Sequence, residues 1–185
     1  MRVALYGGSF NPPHVAHQMV ALYVLETAPV DEVWLIPAVE HAFGKPLAPF
    51  SDRLAMTELA AAPLGPRARV SDIERQIGGP SRTLVTVRRL QASFPSHELS
   101  LVIGADLLPE VPAWYGGDEL RRTVPFRVVG RSGAGVEGAL AMPAVSSSEV
   151  RAALAAGRSV DGLVPRAVLD YIYEHNLYKA VEEPE

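Results

Sequence analysis

An α/β fold, a parallel sheet with helices on both faces, is predicted by three features of the sequence. Apolar runs of strand length alternate with stretches of helical period. The first run breaks at Gly7-Gly8 and leads into a helix. No repeat, low-complexity tract or long linker divides the 185 residues, a length that suits one domain spanning 1–185.

Residues 3–6 read as the first strand. Residues 13–27 form the first helix, with a stripe of Ala16, Met19, Val20, Tyr23 and Val24. Residues 33–36 are the second strand, stopped by Pro37. A loop rich in proline and glycine leads to Phe50, and Ser51 caps a helix reaching about residue 62. A short strand is expected at 69–73, then a helix from Ser81 or Thr83 to about residue 94. Residues 99–103 form a buried strand that ends at Gly104. Residues 126–130 and 141–145 are further strand candidates, with a surface loop at 131–138 between them. Ser146 opens a helix, with Glu149 at capping-box spacing. The last helix covers about 166–175, so a helical part occupies about 146–180. The acidic tail 181–185 is expected to fray.

The composition narrows the function classes. A net charge of −4 gives no global positive field for nucleic acid or anionic lipid, so neither is an expected partner. The absence of cysteine excludes disulfides, thiolate metal sites and a cysteine nucleophile, and suits a reducing cytoplasm. The apolar N-terminal run is too short for a signal peptide or a membrane span.

Two strings carry chemistry. In open parallel sheets a ligand sits beyond the carboxyl ends of the strands. There the first strand delivers Gly7-Gly8-Ser9-Phe10-Asn11-Pro12-Pro13-His14-Val15-Ala16-His17. The glycines let backbone approach a ligand, and the prolines suit a helix entrance. His14 and His17, three apart, share one side of the first turns, beside the apolar stripe, near a positive helix end that would hold an anion. A Gly-Gly pair alone is only a turn. Two histidines alone are surface residues, and zinc would need further ligands. The whole string is far more specific than its fragments. The second string is Ser146-Ser147-Ser148-Glu149-Val150-Arg151, where three hydroxyls and a guanidinium gather at a helix start. By itself it would read as a capping box with an exposed arginine.

Together the two strings resemble the nucleotidyltransferase superfamily, with its Rossmann-like fold, His-x-x-His segment and late Ser-Ser-Thr-x-x-Arg segment. Within it the chain is similar, over almost its whole length, to the bacterial nicotinate-nucleotide adenylyltransferases. Ile103-Gly104-Ala105-Asp106 resembles that family's Gly-x-Asp segment, and Trp114-Tyr115 its Trp-Tyr pair. Pro80-Ser81-Arg82-Thr83 resembles its Pro-Ser-Tyr-Thr segment, and Leu163-Val164-Pro165 through Leu177-Tyr178 its usual ending. Three positions depart: Ala16 replaces a common glycine, Ser148 a threonine, and Arg82 a tyrosine near the pyridine site.

The resemblance implies transfer of AMP from ATP to nicotinate mononucleotide, with pyrophosphate released, in NAD biosynthesis. ATP would lie across Gly7, Gly8, Ser9 and Phe10, with Gly104, Asp106, Ser146, Ser147 and Ser148. His14, His17 and Arg151 would stabilise the transferring and leaving phosphates. Thr83, Trp114 and Tyr115 would hold the acceptor, with Trp114 stacking on a pyridine or simply packing in the core, and Lys45 would bind substrate by helping to hold the phosphates. Magnesium would enter bound mainly to ATP phosphates, with no protein-held metal. His41, in the loop after the second strand, would approach substrate, Arg131 would reach ATP or stand as an ordinary exposed arginine, and His97 and His175 read as surface residues. Gly133–Gly138 fits G-x-G-x-x-G but does not open a helix, so a dinucleotide site is rejected. Alternatives are nicotinamide mononucleotide, phosphopantetheine or a sugar or polyol phosphate as acceptor. A different class is a sensor that binds ATP without transfer.

Overall fold

The computed structural model describes residues 1–40, 44, 46–130 and 142–179. Five strands form one sheet: β1 (Arg2–Gly8), β2 (Glu32–Pro37), β3 (Ala68–Val70), β4 (Glu98–Gly104) and β5 (Phe126–Val129). All neighbours are parallel, in the order β3-β2-β1-β4-β5. The chain runs from β1 outward to one edge, then returns to the other side of β1 with β4. The order therefore reverses between β1 and β4, where the loops leaving their carboxyl ends part and open a crevice.

Alternate side chains of β1 enter two different cores. Val3 and Leu5 join Trp34, Ile36 and Leu101 against Leu84, Val87 and Leu90 of helix α4 (Thr83–Ser93) and Leu120 of α5 (Gly117–Thr123). Ala4 joins Val33, Leu35 and Val102 on the other face, against Ala21, Val24 and Leu25 of α1 (Val15–Thr27). Both faces are thus covered by helices, as the alternation of strand and helix periods predicts. A third cluster joins Met56 and Ala60 of α2 (Phe50–Ala61) to Val150 of α6 (Ser147–Ala155) and Val168, Leu169 and Ile172 of α7 (Arg166–Glu174). No helix among the described residues is long and apolar enough to cross a membrane.

Several local expectations are corrected. The stripe of α1 is turned: Ala21 and Leu25 are buried, while Met19 is exposed and Val20 and Tyr23 only partly covered. Helix α1 begins at Val15, not Pro13, and α2 takes Pro49 rather than Ser51 as its cap. The strand expected over 69–73 ends at Val70, and Ile73 starts the short helix α3 (Ile73–Ile77), its side chain buried in the core. Met142 lies in an isolated bridge and its N–H donates to the Gly130 carbonyl at 3.4 Å, and residues 142–145 add no strand to the described sheet. A 3-10 turn, Leu108–Ala113, and α5 occupy a stretch for which the sequence offered no periodic signal.

Candidate active site

The first string turns sharply after β1. Phe10 has φ 46°, an unusual conformation for a residue with a side chain, and is almost wholly buried. Its ring meets Tyr6 edge-on at 5.7 Å and His17 at 4.9 Å. A Cβ on Gly8 would press on that ring at 3.3 Å, which is the steric reason for glycine there. A Cβ on Gly7 would meet nothing within 4 Å, so this backbone faces open space.

His14 caps α1 and His17 lies one turn in, and their rings stack at 3.7 Å. The sequence places both beside the apolar stripe, but His14 is only 2 % exposed. The His14 backbone N–H donates to His17 Nδ1 at 3.1 Å. An accepting Nδ1 leaves Nε2 as the N–H of that ring, a donor suited to a phosphate oxygen. The N–H of Val15 is already given to the Leu163 carbonyl, and the His17 imidazole adds a side-chain donor at this end of the helix.

The second string closes on the first. Ser146 forms the expected capping box, accepting from the Glu149 N–H at 3.2 Å while its own N–H donates to the Glu149 carboxylate. Ser147 Oγ donates to the Pro12 carbonyl at 2.9 Å, and Arg151 donates to the Asn11 carbonyl at 2.8 Å. Arg151 also reaches Ser148 Oγ at 3.4 Å. Stretches more than 130 residues apart in sequence thus form one cradle.

Two buried groups that sequence reasoning missed hold the loop from below. Arg53 of α2 is 1 % exposed and donates to the carbonyls of Ser9 (2.9 Å), Ala38 (2.6 Å), Val39 (3.2 Å) and Ala48 (2.9 Å). Its hydrogen bonds among the described residues all go to carbonyls, and burial lowers its pKa against the opposing pull of Tyr178 and Glu74. Asn11 Oδ1 accepts from the Ala48 N–H at 3.1 Å and from the Tyr178 hydroxyl at 2.8 Å. Burial pushes the Tyr178 phenol well above its ordinary value, so it remains a donor. Asn11 stood inside the first string, where its amide could have been noticed. Arg53 looked like any polar position on a helix.

From the loop a rim runs to the acceptor side. The Ala38 N–H donates to the Gly8 carbonyl at 2.9 Å, and the Glu40 N–H to Ser81 Oγ at 3.1 Å. Glu74 braces the rim by accepting from the Thr86 hydroxyl at 2.9 Å. Arg82 caps α4 beside Thr83, and its guanidinium lies over the Tyr115 ring at 4.0 Å. Trp114 is half-buried against the core that includes Leu84, so part of its ring packs and part faces out. A Cβ on Gly117 would overlap the Val111 carbonyl oxygen, and Gly116 needs φ 64° beside Leu84, so the turn after Tyr115 requires both glycines.

Gly104 ends β4, and a Cβ there would overlap the exposed Asp106 carboxylate, which explains the Gly-x-Asp pattern. His97 is half-buried, 5.2 Å from the Phe94 ring, rather than a surface residue. His175 is exposed and stacks on Tyr171 at 3.9 Å. His41, Lys45, Arg131, the Gly133–Gly138 string and the tail 181–185 lie outside the described residues. Among the described residues no group of three or more His, Asp or Glu could hold a metal ion.

Comparison with known proteins agrees with this geometry. The cytidylyltransferase-like family matches residues 5–153. A probable nicotinate-nucleotide adenylyltransferase from Anaeromyxobacter dehalogenans (strain 2CP-C) is 48 % identical, covering 96 % of each chain. Another, from Myxococcus xanthus, is 39 % identical over 100 % of this chain and 98 % of its own. In fold the chain is similar to Plasmodium falciparum nicotinic acid mononucleotide adenylyltransferase complexed with NaAD. That match has a TM-score of 0.85 at 21 % identity, covering 98 % of this chain and 99 % of the other.

Proposed function

Because the chain belongs to the cytidylyltransferase-like family and, within it, to the nicotinate-nucleotide adenylyltransferases, we propose that its cradle and rim join ATP to nicotinate mononucleotide. The reaction yields deamido-NAD and pyrophosphate, a step of NAD biosynthesis. The observation that carries the reading is the fastening of α6 onto the first loop through Ser147 and Arg151. It brings two histidines, a guanidinium and serine hydroxyls to the crevice where the sheet order reverses.

The acceptor's phosphate oxygen forms a bond to the α-phosphorus of ATP. The bond from that phosphorus to the bridging α–β oxygen breaks, and pyrophosphate leaves with the electron pair. The acceptor oxygen is already anionic, so no strong base is needed. Rate comes from alignment and from donors aimed at the growing charge. His17 offers Nε2–H, with His14 stacked against it to fix the ring. Arg151 adds a permanent positive charge. Gly7 and Gly8 admit the triphosphate to the backbone, with Ser9 and Phe10 continuing that wall. Gly104 and Asp106 face the ribose side, where the carboxylate accepts from hydroxyls. Trp114 stacks on the pyridine, with Thr83 and Tyr115 beside it. Magnesium would arrive on the nucleotide, held by phosphate oxygens and water, and would neutralise part of the triphosphate charge. A cysteine-free chain using these substrates suits the cytoplasm.

The test is a pyrophosphate-release assay of the purified chain with ATP and, in turn, nicotinate mononucleotide, nicotinamide mononucleotide and phosphopantetheine. Turnover is expected with the nicotinate compound above the others. ATP binding without turnover of any acceptor would favour the sensor and end this reading.

A further inference from the structure

We propose that Arg82 is a specificity-determining residue that selects an acidic pyridine over its neutral amide. This rests on the reading of the rim as the acceptor side of the site. Nicotinate and nicotinamide differ in one group, a carboxylate against a carboxamide. Shape separates them poorly, so discrimination calls for positive charge at that end of the acceptor.

The structure gathers such charge at one point. Arg82 is the N-cap of α4, an eleven-residue helix whose amino end carries partial positive charge. Its guanidinium carbon lies over the Tyr115 ring, 4.0 Å from the ring centre. Stacking uses the π face of the guanidinium and leaves its N–H donors directed outward in the plane. The ring thus limits the rotamers of a long, otherwise mobile side chain. Among the described residues Arg82 has no carboxylate partner, while the nearby arginine Arg88 is paired with Glu119. Of the nearby acidic groups, Glu74 is engaged, accepting from the Thr86 hydroxyl and the Val39 N–H, and the Glu40 backbone N–H docks on Ser81.

The same contact ties two segments together. Tyr115 is 55 % exposed and adjoins Trp114, whose ring is half-buried. Arg82 adjoins Thr83, the first residue of α4. A pyridine lying on Trp114 therefore has its substituent within reach of a cation that is held from the neighbouring residue. Tyrosine, usual at this position by resemblance, would bring no charge.

The experiment measures kcat and KM for nicotinate and nicotinamide mononucleotides with the wild-type chain, Arg82→Gln, Arg82→Lys and Tyr115→Leu. Arg82→Gln should lower the nicotinate-to-nicotinamide ratio of kcat/KM at least about tenfold, the value of one charge-assisted contact. The fall should be carried by KM for the nicotinate compound. Arg82→Lys should keep part of the ratio, and Tyr115→Leu should lower it less than Arg82→Gln. A ratio that stays within about twofold in Arg82→Gln overturns the role of Arg82 and leaves the adenylyltransferase reading standing. A parallel loss for both acceptors assigns Arg82 to structure and also overturns it. If Arg82→Gln does not fold, an unchanged ratio in Arg82→Lys and Tyr115→Leu has the same force. A wild-type chain that adenylylates neither acceptor sinks the reading beneath the proposal.

Discussion

The loop after β1 is fastened from several sides by buried groups, whereas residues 80–83 and 114–115 are joined through side chains that stay largely in solvent. Beneath the loop lies Arg53, with four carbonyls on one guanidinium. Asn11 binds Ala48 and Tyr178, and α6 closes the cradle through Ser147 and Arg151. On the rim, Arg82 and Tyr115 meet by stacking alone. A reaction common to many acceptors needs donors held within fractions of an ångström, and buried networks provide that. Choice of acceptor needs only a few charges and surfaces, which exposed residues provide without risk to the fold. Substitutions in the cradle should therefore remove turnover for every acceptor. Substitutions on the rim should shift preference between acceptors.

The largest effect is expected at His17. His17→Ala removes the Nε2–H donor and should lower kcat by about 10²–10³-fold with either pyridine nucleotide. Melting temperature should change little, since the ring accepts a backbone N–H and lies against neighbouring rings at the edge of the site. A loss of less than about fivefold would remove His17 from the chemistry. Next comes Arg53→Met, which leaves four part-buried carbonyls without their donor and should cost about 3 kcal/mol in chemical denaturation. KM for ATP should rise as the Ser9 carbonyl comes loose. Full stability in this variant would break the contrast between a buried cradle and an exposed rim.

That contrast also explains what was legible in the sequence. The sheet was readable because strands buried on both faces are continuous apolar runs, as at Leu99–Ile103 within β4. That two distant stretches meet in one cradle was readable because His14, His17, Ser147 and Arg151 cluster in two short strings. Its supports were not, because Arg53 and Tyr178 act through contacts 44 and 167 residues away along the chain. The turn of the α1 stripe was missed for a similar reason. Small Ala21 is buried and long Met19 is exposed, so the wall the helix meets decides the face more than side-chain hydropathy does. Helices α3 and α5, with five and seven residues, are too short for a period to register.

A rim substitution should behave differently. Trp114→Leu keeps apolar bulk against Leu84 but removes the stacking face. Stability should fall by about 1 kcal/mol, and KM for the pyridine nucleotide should rise about tenfold. KM for ATP should stay within about twofold. An equal rise in both constants would mean that Trp114 shapes the whole crevice and not the acceptor end.

The smallest effect is expected at the far end of the sheet, where the Arg2 guanidinium and backbone N–H both donate to Asp31, at 2.9 and 2.7 Å. These bonds hold the Asp31 carboxyl below its ordinary pKa, led by the Arg2 side chain. A carboxyl lowered by folding adds stability above its unfolded pKa, and loses it as pH falls through the lower folded value. Both side chains are about half exposed, so the pair is weak and is screened by salt. Asp31→Asn should lower the melting temperature slightly near pH 7, less so at high salt. The difference from wild type should shrink as pH falls below the ordinary carboxylate range. Activity should not follow it, because Arg2 begins β1 and the cradle leaves its other end. A change in turnover with Asp31→Asn would mean that strain passes along β1 to the loop, and that the cradle is less insulated than its buried bonds imply.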